Sequence, residues 1–534
     1  MRKRYFFIPL TVVIIITGIW ACKYGGIGPA GIDLSVLNKK NNKSEEIRGL
    51  ADGLLGYNGE ITYGTNKRIV PNMDKAIEVF PFENAGAYYR IPALVVTTNG
   101  TLLAFADRRY NNRDDLPNRI EVEVTRSTNN GSNWSKRIKI TPTSVSKTDG
   151  YGDTASVVVR NSNTVLALVA SHRGFQASTP SNPININVFR STDNGKTWSR
   201  RIRVTPRSIS DSDGHGDVAT VVNRNTGEIL ALVAAGAGFI ATAAGQTLVS
   251  SPSTPMKIVL FKSSDDGITW SKGEDITSQI YGTQCKVESR RGWYAAFVSS
   301  GNGIQLSTGR ILFVINVRES RATAPNTFKN YALYSDDGGN TWQVSKNAPT
   351  TTGGNESKIV ELADGRLLMT SRPNYGNNRM HAYSEDGGDN WTASTAHKDI
   401  TAAGSNGDMI YYTSVKNGWD TNRIIHFIPT SKTPASDDPQ YNDGRQGPSN
   451  PCFYYSYDDG KTFKKKGPIR SGASGYSSLA VLYDGSIGIL FENKSWGGPI
   501  KFMRVNFEWL TGGKDRPKKI TTTTTEDSKD NTKK

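Results

Sequence analysis

The sequence predicts an all-β fold, a six-bladed β-propeller, and three observations carry that prediction. An octapeptide of the form Ser-x-Asp-x-Gly-x-Thr-Trp recurs six times, beginning at Ser127, Ser191, Ser263, Ser335, Ser384 and Ser456. Strand-like runs lead into the copies, as in IVLFKSS, YALYSDD and FYYSYDD. The composition, with 53 glycines and 36% hydrophobic residues, suits short strands joined by many turns.

Each copy has turn chemistry. Asp or Asn stands beside Gly, where positive φ is tolerated, and an aromatic residue closes back onto the strands. The flanking runs alternate or stay apolar, as strands do. A unit that buries its apolar face only against its neighbours must repeat, and several strands per unit repeated six times read as a propeller. Propellers grow by adding blades, so 534 residues do not force a second domain.

The blade pattern spans 81–512. Before it, 1–22 reads as a signal peptide or N-terminal anchor and 23–80 as a polar, Asn/Lys-rich extension. After it, 513–534 is low-complexity and expected to be disordered. The start, MRKRYFFIPLTVVIIITGIWAC, has a basic stretch, an apolar run short of a full span, and then Ala21-Cys22. Ile19-Trp20-Ala21-Cys22 loosely resembles a bacterial lipobox, with Trp atypical in second place. Cleavage, lipid attachment through Cys22 and an uncleaved anchor stay open; each puts the working part outside the cytoplasm, secreted or at the cell surface. Cys285 and Cys452 either pair or stay free.

The net charge of +16 favours an anionic partner. No aromatic-interleaved RNA motif or basic helical stripe accompanies it, so nucleic acid is not expected. Five scattered histidines and no Cys/His spacing give no metal site, and no glycine loop ahead of a helix cradles phosphate. No cofactor is expected.

Two neighbouring units are copies of one another. Residues 137–170 align without gaps to 201–234, an offset of 64 that also separates Ser127 from Ser191. Asp153 and Asp217 are equivalent in this alignment, and at most one is expected to face a single central site.

The octapeptides resemble the Asp-box of sialidases and related propeller proteins, where they are structural pins on the rim away from the site. Tyr88-Tyr89-Arg90-Ile91-Pro92 resembles the YRIP motif that opens the sialidase propeller, and the resemblance continues to about Leu510. It implies a retaining exo-α-sialidase acting on sialylated glycoproteins, glycolipids and oligosaccharides, with an N-terminal membrane tether an open option. Sialic acid bears a carboxylate on its anomeric carbon, which calls for several arginines with planar, paired donors. By resemblance these are Arg90, Arg109 and Arg372, with Arg445 the further candidate in a stretch that departs from the family pattern. Arg108 should face away from Arg109 by strand alternation.

A carboxylate nucleophile would be repelled by the substrate's own carboxylate, and the family uses Tyr instead. Tyr476 lies where that Tyr is expected, Glu356 is matched to its base, and Asp115 in Asp114-Asp115-Leu116-Pro117 to the acid/base. Asp114 and Glu361 are the competing carboxylates, and Glu361 reads as structural. Asp153 and Phe175 match pocket-lining positions, and Gly301-Asn302-Gly303-Ile304-Gln305-Leu306 matches a stretch whose backbone lies near the site. A trans-sialidase, including an intramolecular one, would share this set. A lectin on an inactive propeller would lack Tyr476 or Glu356, and a neutral-glucan hydrolase would not need the arginines.

Overall fold

The computed structural model describes residues 76–520, apart from 82–86, 111, 173–183, 209–213, 239–248, 300, 323–326, 351–352, 374–377, 403, 434–446 and 495–496. The signal or anchor segment, most of the polar extension and the end of the chain therefore lie outside the described residues.

Among the described residues seven antiparallel-built sheets follow one another along the chain, so the propeller shows seven blades and not six. Their innermost strands are Ala87–Val96, Tyr151–Val159, His215–Val222, Ala295–Val298, Ser357–Glu361, Asp408–Thr413 and Ser477–Val481 for blades 1 to 7. An apolar cluster fills each interface between successive blades, including the one that joins blade 7 to blade 1.

Counting boxes undercounts blades for a topological reason. A box occupies the turn from the third to the fourth strand of a blade. In blade 7 the third strand, Ile500–Val505, pairs instead with Ile77–Phe80 from the start of the propeller. The chain never turns there into a fourth strand; it enters the short helix Phe507–Leu510, and no box is required. The propeller therefore takes in Ile77–Phe80, which the sequence boundary at 81 left in the extension. It also takes in part of the tail: Asp515 pairs with Arg423 at 2.7 Å, and the Ile520 N–H donates to the Gly418 carbonyl at 2.8 Å.

The boxes act as clamps between blades. In the second copy, Asp193 Oδ1 accepts from Ser191 Oγ and the Thr197 N–H, both at 2.9 Å, and Oδ2 accepts from Thr197 Oγ1 at 2.6 Å. The Trp198 ring meets Phe105 of blade 1 edge-on, centroids 5.6 Å apart. Gly195 has φ +78°, and a Cβ there would sit 1.9 Å from Leu103 Cδ2 of blade 1. Gly195→Ala combines the cost of a left-handed non-glycine residue with overpacking, ~3 kcal/mol together. Denaturant unfolding should show that loss with the m-value unchanged; a loss under ~0.5 kcal/mol would contradict the clamp.

The duplicated segment accounts for one blade of the seven. Residues 137–170 run from the outer strand of blade 1 into blade 2, and 201–234 repeat this from blade 2 into blade 3. Blade 3 also gains a fifth strand: Gly301–Asn302 runs parallel to the inner strand His215–Val222. Asn302 Nδ2 reaches across to the Ser156 carbonyl of blade 2 at 3.0 Å. The Gly-Asn-Gly stretch thus spans the inner edges of both duplicated blades. Cys285 and Cys452 are buried and free. Among the described residues no helix is long and apolar enough to cross a membrane.

Candidate active site

Strand register brings the candidate residues to one end of the blades. In each blade this is where the inner strand begins and the second strand ends. Arg90 faces Asp107 across blade 1, and Tyr88 faces Arg109. In blade 5, Glu356 and Arg372 flank the pair Ser357 and Ser371, and the Arg372 N–H donates to the Glu356 carbonyl at 2.8 Å. In blade 7, Tyr476 and Glu492 stand opposite in the same way, with the Glu492 N–H on the Tyr476 carbonyl at 2.9 Å. The boxes sit at the other end: Ser127 pairs with Leu102, where the second strand of blade 1 begins.

Alternation sorts neighbours on one strand. Arg109 and Asp107 share a face and are buried, with Arg109 Nη2 donating to Asp107 Oδ2 at 3.0 Å. Arg108 turns away and donates to Glu123 Oε1 at 3.1 Å. Arg109 Nη1 also donates to Asp115 Oδ1 at 2.6 Å, and Arg90 Nη1 lies 3.7 Å from the same oxygen. Asp115 holds both arginines while its side chain stays 66% exposed. Its neighbour Asp114 is exposed and its side chain is engaged with neither arginine.

The second half of the site is a phenol–carboxylate–guanidinium triangle. The Tyr476 hydroxyl donates to Glu356 Oε1 at 2.5 Å. Arg372 Nη1 donates to Glu356 Oε2 at 2.8 Å and to the Tyr476 oxygen at 3.0 Å. The Arg90 guanidinium lies 5.4 Å from the Tyr476 ring centroid, which joins the two halves. Glu361, the other carboxylate of that strand, accepts from the Ser307 N–H at 2.8 Å and from its hydroxyl, away from the triangle.

Electrostatics follow from crowding. Burial pushes the Tyr476 phenol well above its usual range, the Glu356 charge adds to this, and Arg372 and Arg90 pull against it. The resting phenol is therefore protonated and needs its base. Burial works against the Arg372 charge, but Glu356 and Tyr476 outweigh it and hold the guanidinium firmly charged. Burial would raise Asp115, yet Arg109 and then Arg90 overcome it and hold the carboxyl below the usual range. Asp107 is pushed up to about 6, chiefly by burial, despite Arg109 beside it.

Asp153 is half-buried and pushed well above the usual range by burial, then by Asp107 and Asp115, with Asp217 adding to the push. Asp217 is pushed up to about 6 by burial and then by Asp115. Burial is the first cause for both carboxyls, and Asp115 contributes to both. Arg445 and Phe175 lie outside the described residues. Among the described residues no His/Cys/Asp/Glu group could hold a metal ion.

Glu492 is a site residue that sequence reasoning missed. Its Oε1 accepts from the Ile91 N–H at 3.1 Å and lies 3.4 Å from Arg90 Nε, while Oε2 accepts from the Tyr476 N–H at 3.2 Å. One carboxylate thus fixes the first arginine and the tyrosine together. A Cβ on Gly475 would lie 2.0 Å from Glu492 Oε2, so glycine there is what lets the carboxylate approach. The available signal was a Glu closing the fully buried strand Ile487–Glu492, since a buried carboxylate needs partners.

Fold and site together define a BNR-repeat propeller with an arginine-rich centre and a tyrosine–glutamate pair. Models of the BNR repeat-like domain match residues 184–489 and 91–216. A sialidase of Micromonospora viridifaciens is 30% identical over 338 residues, covering 62% of this chain and 48% of that protein. A sialidase of Bacteroides fragilis is 25% identical over 419 residues, covering 77% and 61%. The chain thus spans about half to three-fifths of the length of these relatives. A leech intramolecular trans-sialidase, solved with 2,7-anhydro-Neu5Ac, shares the fold with a TM-score of 0.50 at 18% identity, covering 82% of this chain and 71% of that one. The chain belongs to the BNR repeat-like family.

Proposed function

We propose that this protein is a retaining exo-α-sialidase that releases terminal sialic acid from sialylated glycans. The observation that carries the reading is the Tyr476–Glu356–Arg372 triangle beside Arg90 and Arg109. A buried phenol paired to a carboxylate suits attack on an anomeric carbon that itself bears a negative group.

The resting site already holds a carboxylate where the substrate's would go. Asp115 occupies Arg109 and Arg90. An incoming sialoside carboxylate displaces it and pairs with these arginines and Arg372. Asp115 then loses the charges that kept it ionised, so its pKa rises and it takes up a proton where the leaving oxygen will be. Tyr476 gives its proton to Glu356 and its oxygen bonds to the anomeric carbon. The glycosidic bond breaks and Asp115 protonates the departing oxygen. Water then attacks the same carbon, passing a proton to Asp115, while Tyr476 leaves and recovers its proton from Glu356. Two displacements give retention. The fixed guanidinium charges supply the stabilisation without a metal.

Incubation with an α-2,3-sialyllactose, followed by proton NMR, tests this: the first product should be the α-anomer of free sialic acid. Absence of release by folded protein would overturn the reading. A 2,7-anhydro product would replace hydrolysis by intramolecular transfer on the same residues.

Glu492 should act as a positioning residue. Glu492→Gln keeps the shape but removes the charge that orients Arg90. KM for a sialoside is expected to rise about tenfold, ~1.4 kcal/mol, with kcat changed less. Equal loss in both would place Glu492 in the chemical step instead.

A further inference from the structure

The inner strands of blades 1, 2 and 3 carry one device three times. Each slips register near its start, between Arg90 and Ala93, Gly152 and Ala155, and Gly216 and Val218. The residue in the slip has positive φ each time: Ile91 at 55°, Asp153 at 56° and Asp217 at 40°. A bulge re-aims the side chain it carries. In blades 1 and 2 the bulged N–H is met by a carboxylate from the preceding blade. Ile91 donates to Glu492, and Asp153 N–H to Asp107 Oδ2 at 3.4 Å.

Blade 3 repeats the bulge but not the partner. By register, the place that Asp107 holds opposite Arg90 is held in blade 2 by Ala170, opposite Gly152. The Asp217 carboxyl makes no hydrogen bond or ion pair with any described residue. It is half-buried, in the bulge of blade 3 that corresponds to the bulge of Asp153 in blade 2. The duplicated blade therefore repeats the bulged carboxyl of blade 2 at the same end of its inner strand and leaves it unengaged.

We propose that Asp217 is a specificity residue of the glycone pocket, which accepts a hydrogen from one hydroxyl of the nine-carbon sugar. This rests on the sialidase reading. The two sides of the site then have opposite chemistry. Arg90, Arg109 and Arg372 receive the sugar carboxylate, while the carboxyl oxygens of Asp153 and Asp217 are left for hydroxyl and amide hydrogens. A site whose buried acceptor needs a donor rejects an analogue that lacks it far more strongly than an apolar pocket would. Sialosides with that hydroxyl capped should be poor substrates, and Asp217 should be the reason.

The test is a panel of aryl α-sialosides, each methylated on one hydroxyl (C4, C7, C8 or C9), compared with the parent compound. In the wild-type protein kcat/KM should fall about a hundredfold for one member. In Asp217→Ala the penalty for that same member should shrink to under about fivefold, because the parent has lost its partner too. An unchanged penalty profile in Asp217→Ala would overturn the proposal, as would a profile flattened by Asp153→Ala but not by Asp217→Ala. Asp217→Asn, run on the same panel, guards against misfolding of the alanine variant. It removes a crowded charge and should melt no lower than the wild type at pH 7.5. If the wild type neither turns over nor binds any sialoside, the sialidase reading itself fails. If the wild type works and only the panel is indifferent to position 217, this inference alone fails.

Discussion

Tyr476→Phe should lower kcat on an aryl α-sialoside by about a thousandfold or more while the protein still binds sialic acid. The substitution removes one oxygen, yet in the proposed reaction that oxygen is the atom that bonds to the anomeric carbon. It is also held by two partners, Glu356 at 2.5 Å and Arg372 at 3.0 Å. Loss of a nucleophile costs several orders of magnitude because the remaining charges can only assist a poorer path. Binding should persist because Arg109 and Arg90 do not depend on the hydroxyl for their placement: they are held by Asp107 and Glu492. A decrease under tenfold would remove Tyr476 from the chemical step. Loss of binding together with turnover would make it a packing residue.

Asp115→Asn should show a dependence on leaving group that no structural role would produce. General acid assistance is worth about 10² to 10⁴ in rate when the departing oxygen is basic. A sugar alkoxide needs the proton; a nitrophenolate barely does. The variant should therefore lose a hundredfold or more on sialyllactose and under about tenfold on a nitrophenyl sialoside. Equal losses on both would contradict the acid role. The resting ion pair adds a second signature. Asp115 lies below its usual range because Arg109 and Arg90 outweigh burial, and in the proposed reaction the substrate carboxylate takes both cations from it. Its pKa is raised by binding, so binding takes up a proton and affinity falls as pH rises. Calorimetric binding heats in buffers of different ionisation enthalpy should show that uptake in the wild type and not in Asp115→Asn.

The legible parts of this molecule were those where one residue type has one physical job. Gly195 can be read as glycine at a close contact because nothing larger fits over Leu103, and Asp193 as a pin because its acceptors close a turn. Arg90, Arg109, Glu356, Arg372, Asp115 and Tyr476 were legible only jointly, through motif resemblance and order along the chain. Burial alone would have misled. Arg379 and Arg423 are fully buried too, yet Arg379 serves the Ser405 and Asn406 carbonyls and Arg423 serves Asp420 and Asp515. The seventh blade was hidden because its outer strand, Ile77–Phe80, precedes the others by hundreds of residues and leaves no box behind. Glu492 was hidden because its role depends on Arg90 and Tyr476 meeting from opposite ends of the chain.

The most direct test of the central claim is to trap the covalent state. A sialyl fluoride with a second fluorine beside the anomeric carbon has a good leaving group but a destabilised cationic transition state, so the second displacement is slowed. After brief reaction and proteolysis, mass spectrometry should place one fluorosialyl group on the peptide that contains Tyr476, on its phenol oxygen. The label should be absent from Tyr476→Phe. A label on Glu356 or Asp115, or no label in protein that turns over ordinary sialosides, would contradict the tyrosine mechanism.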